Sequence, residues 1–243
     1  MKLTTIHRTL FLALGLMGVV DCAKAVNFVE VDGTHLQFFY DADFWGIGAA
    51  SVSGDSITFN TNDLKASVSV KLSSSNGSSS QDYSDFTTPG LVAVLKSSAQ
   101  SVDVSNTLKA DYVLASGGKA SASLSGDIKS GSFSGGMFSP SASVGAFDQL
   151  IKPSSPGTGS LSQSSPASLG SWDMANAIGI NASILLHADQ QGGGMTSISM
   201  TQAVYSFDVT PVATPVPEPE SYAMLLAGLG LVGVVARRRK AAK

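Results

Sequence analysis

Cysteine occurs once in the 243 residues, at position 22, and arginine at four positions, three of them in the closing cluster Arg237, Arg238 and Arg239. Between Val26 and Val216 there is neither. The missing cysteines exclude an intrachain disulfide, so that stretch has to hold together by packing alone. The missing arginines remove the planar fork that clamps carboxylate or phosphate bidentately. The same stretch sets seven lysines against fourteen aspartates and Glu30, a net charge of −8. A nucleic-acid interface needs clustered cations to replace phosphate counterions, and that class is excluded as a partner. Beyond the first 25 residues the only histidines are His35 and His187, and neither sits at the local spacings of a zinc site. No G-x-S-x-G elbow marks a serine nucleophile, and one glutamate leaves little for a glycosidase carboxylate pair. No capped amphipathic helix is visible inside the chain either.

What is present divides by composition. Residues 1–25 open with Lys2 and Arg8, run uncharged from Leu10 to Val20, and reach the small-x-small triplet Ala23-Lys24-Ala25. This is the pattern of a secretory signal peptide cut by signal peptidase after Ala25. The uncharged run is too short to span a bilayer. Asp21 stands where lipid attachment at Cys22 would need a small residue.

From residue 26 to 209 apolar residues alternate with serine and threonine at period two, the signature of strands with one wet face. Ala66, Val68, Val70 and Leu72 share one side of "KASVSVKL", and "KASASLSGDI" repeats the pattern. In "TSISMTQAVYSFDV" Ile198, Met200 and Val204 fall on one face before a shift of phase near Tyr205. Turn signals such as "VDGT", "SGDS", "TTPG", "SGGK" and "QQGGG" separate these segments. The expected fold is all-β, a single antiparallel β-sandwich or jelly-roll-like domain. Residues 139–171, rich in Ser, Pro and Gly, read as a long loop within it.

Residues 210–221, "TPVATPVPEPES", carry four prolines and read as an extended stalk. Residues 222–236 are uncharged and read as a transmembrane helix, fifteen residues or ~22 Å at ~1.5 Å each. A hydrocarbon core is ~30 Å thick, so the span is short. Arg237, Arg238, Arg239 and Lys240 lengthen it by snorkelling and hold residues 237–243 in the cytoplasm as a basic tail.

Val216-Pro217-Glu218-Pro219-Glu220-Ser221, then a brief Gly- and Leu-rich helix, then clustered arginines: this order resembles the PEP-CTERM sorting signal of exported Gram-negative proteins. The resemblance implies that a membrane-embedded exosortase recognises Pro217, Glu218 and Pro219, cleaves near them, and passes the protein to the cell envelope, cell surface or extracellular space. The inner membrane is then a transient partner. The two prolines fix φ and remove backbone donors, which keeps the motif extended where an enzyme can grip it. The segment "FFYDADFWGIGAASVSGDSITFNTNDLKASVSV" also resembles the opening of a group of such exoproteins, with no site residues to carry over.

Two clusters in the exported part are candidates for binding. Phe38, Phe39, Tyr40, Phe44 and Trp45 are the densest aromatics, and Tyr40 and Trp45 are read either as a sugar-stacking pair or as core. Asp41 and Asp43 offer oxygen ligands of the kind calcium takes, or serve as turn caps. The expectation is a non-enzymatic surface or matrix protein without cofactor, structural or adhesive in an exopolysaccharide or biofilm matrix. The alternative is a secreted carbohydrate-binding module assisted by calcium.

Overall fold

The computed structural model describes residues 26–61, 66–96, 99–168, 177–211, 223–232 and 237. Twelve strands follow one another: β1 (Phe28–Asp32), β2 (Leu36–Asp41), β3 (Ala50–Ser53), β4 (Ser56–Asn60), β5 (Ser67–Leu72), β6 (Ser78–Leu95), β7 (Ala99–Leu114), β8 (Gly118–Ser134), β9 (Met137–Ile151), β10 (Gly157–Ser168), β11 (Ala177–Gln191) and β12 (Gly194–Pro211). A single helical turn, α1 (Ala42–Trp45), leaves β2. Sheet A runs β1-β2-β6-β11-β8-β9 and sheet B runs β10-β7-β12-β4-β3, with β5 pairing the first part of β12 beyond β4. Every pairing is antiparallel.

Alternation explains the core. Sheet A turns in Leu36, Phe38 and Tyr40 of β2, Ala122, Leu124 and Ile128 of β8, and Ile180, Ile184 and Leu186 of β11. Sheet B answers with Ile57 and Phe59, Val68 and Val70, Leu108 and Ala110, and Ile198 to Phe207 of β12. The serines and threonines between these residues face outward, so each sheet has the dry and wet faces of a sandwich.

Three departures from the sequence reading have physical causes. Of the loop expected at 139–171, residues 139–168 belong instead to β9 and β10, joined by the short connection 152–156, and 169–171 lie outside the described residues. Proline and serine suggested a loop, but β9 and β10 are the edge strands of their sheets, where the missing N–H of Pro140 and Pro166 breaks no inner ladder. The signal "TTPG" does not end a strand. It lies inside β6, where Thr88, Pro89 and Gly90 bulge out of the pairing with β11 between Thr87 and Leu91. On β12 the phase shift comes at Thr201, between the paired positions Met200 and Gln202. Ala203, Tyr205 and Phe207 therefore turn inward, and Val204, expected on the inner face, lies on the outer one.

The two sheets are clasped at one end by a carboxylate. Asp55, in the β3–β4 turn, accepts from the backbone N–H of His35 at 2.7 Å and of Leu36 at 3.2 Å. Its other oxygen meets His35 Nδ1 at 2.6 Å. The β1–β2 turn of sheet A is thereby fastened to sheet B. Gly33 allows the close approach, since a Cβ there would stand 2.9 Å from the Gly54 carbonyl.

Candidate functional site

The tail shows a helix over 223–232, with Met224, Leu225, Leu226, Leu229, Leu231 and Val232 all exposed. The helix's ten residues measure about 15 Å. Among the described residues no helix is long and apolar enough to cross a membrane. Arg237 is exposed. The expected motif Pro217, Glu218 and Pro219, together with Arg238, Arg239 and the cleavage triplet at Ala23 and Ala25, lies outside the described residues.

In the domain, the aromatic cluster is a core element. Trp45 is fully buried, lies parallel to Phe59 with ring centroids 4.2 Å apart, and donates its indole N–H to the Gly90 carbonyl at 3.0 Å. Its acceptor lies in the β6 bulge. Tyr40 is buried against Phe59, and its hydroxyl accepts from the Gly48 N–H at 3.1 Å. The stacking pair is corrected accordingly: neither ring offers a face to a sugar. Phe39 alone of the cluster turns to the other side of β2, where it meets Phe133.

Asp41 and Asp43 do not act together. Asp41 is buried, caps α1 by accepting from the Asp43 N–H at 3.0 Å, and takes the Thr87 hydroxyl at 2.7 Å on its other oxygen. Both of its oxygens are thus spent on the fold, while Asp43 is exposed. Among the described residues no group of three or more His, Cys, Asp or Glu is placed to hold a metal ion.

Register assembles a row that the sequence did not suggest. On the outer face of sheet A, His187 of β11 stands opposite Asp82 of β6 on one side and Ser121 of β8 on the other. His187 Nδ1 meets Asp82 Oδ1 at 2.6 Å. The three residue types are those of a hydrolytic triad, but no hydrogen bond joins Ser121 to His187, and the Asp82 side chain is 65% exposed. A solvated carboxylate gives the imidazole little of the low-dielectric support that activates a serine. The only sequence hint was alternation, which places residues 183, 185, 187 and 189 on the wet side of β11.

A second missed cluster is internal. Gln149 reaches from β9 across the sandwich to donate to the Asn106 carbonyl, beside Tyr205. The Asn106 side-chain amide, Gln149 Oε1 and the Tyr205 hydroxyl are buried without a hydrogen-bond partner. Burial pushes the Tyr205 phenol far above its usual value. Tyr83, partly buried next to Asp85, is raised by burial first and by that carboxylate second.

Comparison with known proteins locates the clearest functional segment in the tail. Residues 215–240 match the family described as the PEP-CTERM protein-sorting motif. No curated protein matches the sequence. Among solved structures, the infectious bursal disease virus Gx strain structure is similar over 59% of this chain and 32% of that one, at 11% identity. Its TM-score is 0.29, too low to mark a shared fold.

Proposed function

We infer that the chain is an exported cell-surface or extracellular-matrix protein of a Gram-negative bacterium, structural or adhesive rather than catalytic. Signal peptidase removes residues 1–25, and an exosortase processes the chain at Pro217-Glu218-Pro219. The observation that carries this reading is the sorting motif at residues 215–240. Its parts stand in the order the task requires: a stiff extended recognition site, a brief apolar helix, and arginines that halt transfer. The domain supports the reading by what it spends its reactive residues on. His35 and Asp55 clasp the sheets, Asp41 caps a helical turn, and the aromatic rings fill the core.

Replacing Pro217, Glu218 and Pro219 by alanine tests it. The expected result is full-length, membrane-associated protein on a blot, with loss of the shorter exported form. Processing that continues unchanged would overturn the reading.

A further inference from the structure

At one end of sheet A, the β7–β8 turn and the 152–156 connection frame a cleft of about 560 Å³, within the ~300–1,000 Å³ of small-ligand sites. Lys119, Ser121, Lys152 and His187 line it, together with Pro153 and Pro156. Register explains the convergence. Ser121 stands opposite His187, and Lys152 directly follows Ile151, the partner of Ala122, which brings it beside Ser121. Lys119 lies two residues before Ser121 on the same face of β8.

Among the described residues Lys96 is paired with Asp32 at 2.7 Å, and Lys71, Lys109, Lys119, Lys129 and Lys152 make no ion pair, although Asp189 is the cross-strand neighbour of Lys119. What sets Lys119 and Lys152 apart is that they share one cleft. Two lysines without an ion-pair partner line one cleft, and an anionic ligand seated there is attracted to both. His187 adds Nε2, since Nδ1 is taken by Asp82, and Ser121 adds a hydroxyl.

The cleft wall is also held in place. Gln190, fully buried, donates to the carbonyls of Ser116 at 3.1 Å and Gly192 at 3.2 Å, and accepts from the Thr196 hydroxyl at 2.5 Å. This locks the β7–β8 turn against the β11–β12 turn. A Cβ on Gly118 would fall 2.0 Å from the Thr196 hydroxyl oxygen, so the packing there leaves no slack. A wall fixed before binding loses little entropy on binding.

The ligand class follows from these groups. Lysines supply point charge for an anionic group, prolines supply flat apolar surface, and Ser121 and His187 exchange hydrogen bonds with hydroxyls, a combination that fits a hydroxyl-rich acid better than a bare inorganic anion. We propose that the cleft binds a carboxylate-bearing saccharide, with Lys119 and Lys152 supplying the charge for its carboxylates. The proposal deepens the surface-protein reading, resting on it only for biological setting, because binding itself needs no sorting.

The test uses the purified full chain in mild detergent, titrated calorimetrically with trigalacturonate, maltotriose and inorganic phosphate. Trigalacturonate should bind and neutral maltotriose should not. Lys119→Gln with Lys152→Gln should weaken trigalacturonate binding at least about tenfold, or ~1.4 kcal/mol. Lys71→Gln with Lys109→Gln, the same charge change on sheet B, should leave it unaltered. Thermal midpoints matching the unmodified protein establish that both variants fold. The proposal is overturned by no trigalacturonate binding up to ~5 mM, by equal binding of maltotriose or phosphate, or by equal weakening in the sheet B variant. Failed binding with intact processing removes this inference alone; failed processing with intact binding removes the sorting reading alone.

Discussion

Tyr205 gives the domain a built-in sensitivity to alkali. Its ring sits in the core, 5.8 Å from Phe147 and 6.2 Å from both Trp45 and Phe59, and its hydroxyl has no hydrogen-bond partner. Tyr205→Phe keeps the ring contacts and deletes only the hydroxyl. An unpartnered buried hydroxyl costs about 1–3 kcal/mol of desolvation. Near pH 8 the variant should therefore be as stable as the original or about 1 kcal/mol more so. The phenol is raised in the folded chain and ionises near pH ~10 in the unfolded one. Below that pH both states keep the proton and the contribution is constant. Above it the unfolded chain releases the proton and the folded one does not, so stability falls by ~1.4 kcal/mol per pH unit. The variant loses this slope but keeps the smaller one from Tyr83, which is raised in the same direction. Urea unfolding followed by tryptophan fluorescence, from near pH 8 to about pH 11, measures both effects. A variant destabilised by more than ~2 kcal/mol near pH 8, with the alkaline slope unchanged, would refute the reasoning.

Other positions give sharper structural readouts. Trp45→Ala should cost ~3–5 kcal/mol, because it removes a fully buried ring, its stack on Phe59 and its bond to Gly90; a change below ~1 kcal/mol in denaturant titration would mean the ring is not in the core. Asp55→Asn keeps one good acceptor where the carboxylate now serves three contacts, and should lower stability by ~1–3 kcal/mol, with cleavage by added protease rising at the β1–β2 turn. Gly126→Ala would put a Cβ 1.9 Å from the Asn181 carbonyl oxygen and should cost at least ~2 kcal/mol, whereas Gly77→Ala, which meets only Leu72 side-chain carbons at 3.8 Å, should be close to neutral in a thermal melt.

The strands with one wet face were readable because their information is local. Val68 and Val70 in β5, or Ala120, Ala122 and Leu124 in β8, announce their inner face by spacing alone. Edge strands were not readable, since Pro140 and Pro166 look like loop residues until the sheet order places them where no further strand needs their N–H. The bulge at Thr201 hid in the same way: period two simply breaks, and only pairing with β7 shows which residue is extra. Contacts set by register were furthest from reach. Asp82 and His187 are 105 positions apart, and Lys119 and Lys152 line one cleft only because β8 pairs with β9. Tyr40 and Trp45 were recognisable as an aromatic cluster, but side-chain types do not say which side of a strand or turn will be covered. The sorting tail was legible for the opposite reason, since its parts act in linear order and need no fold.

The measurement that bears most directly on the central claim is the intact mass of the protein recovered from the cell surface or medium. The account predicts one species that begins at or near Val26 and ends near Pro217-Glu218-Pro219, without the helix and arginines that follow. An exported species whose mass includes Tyr222 to Lys243 would contradict it.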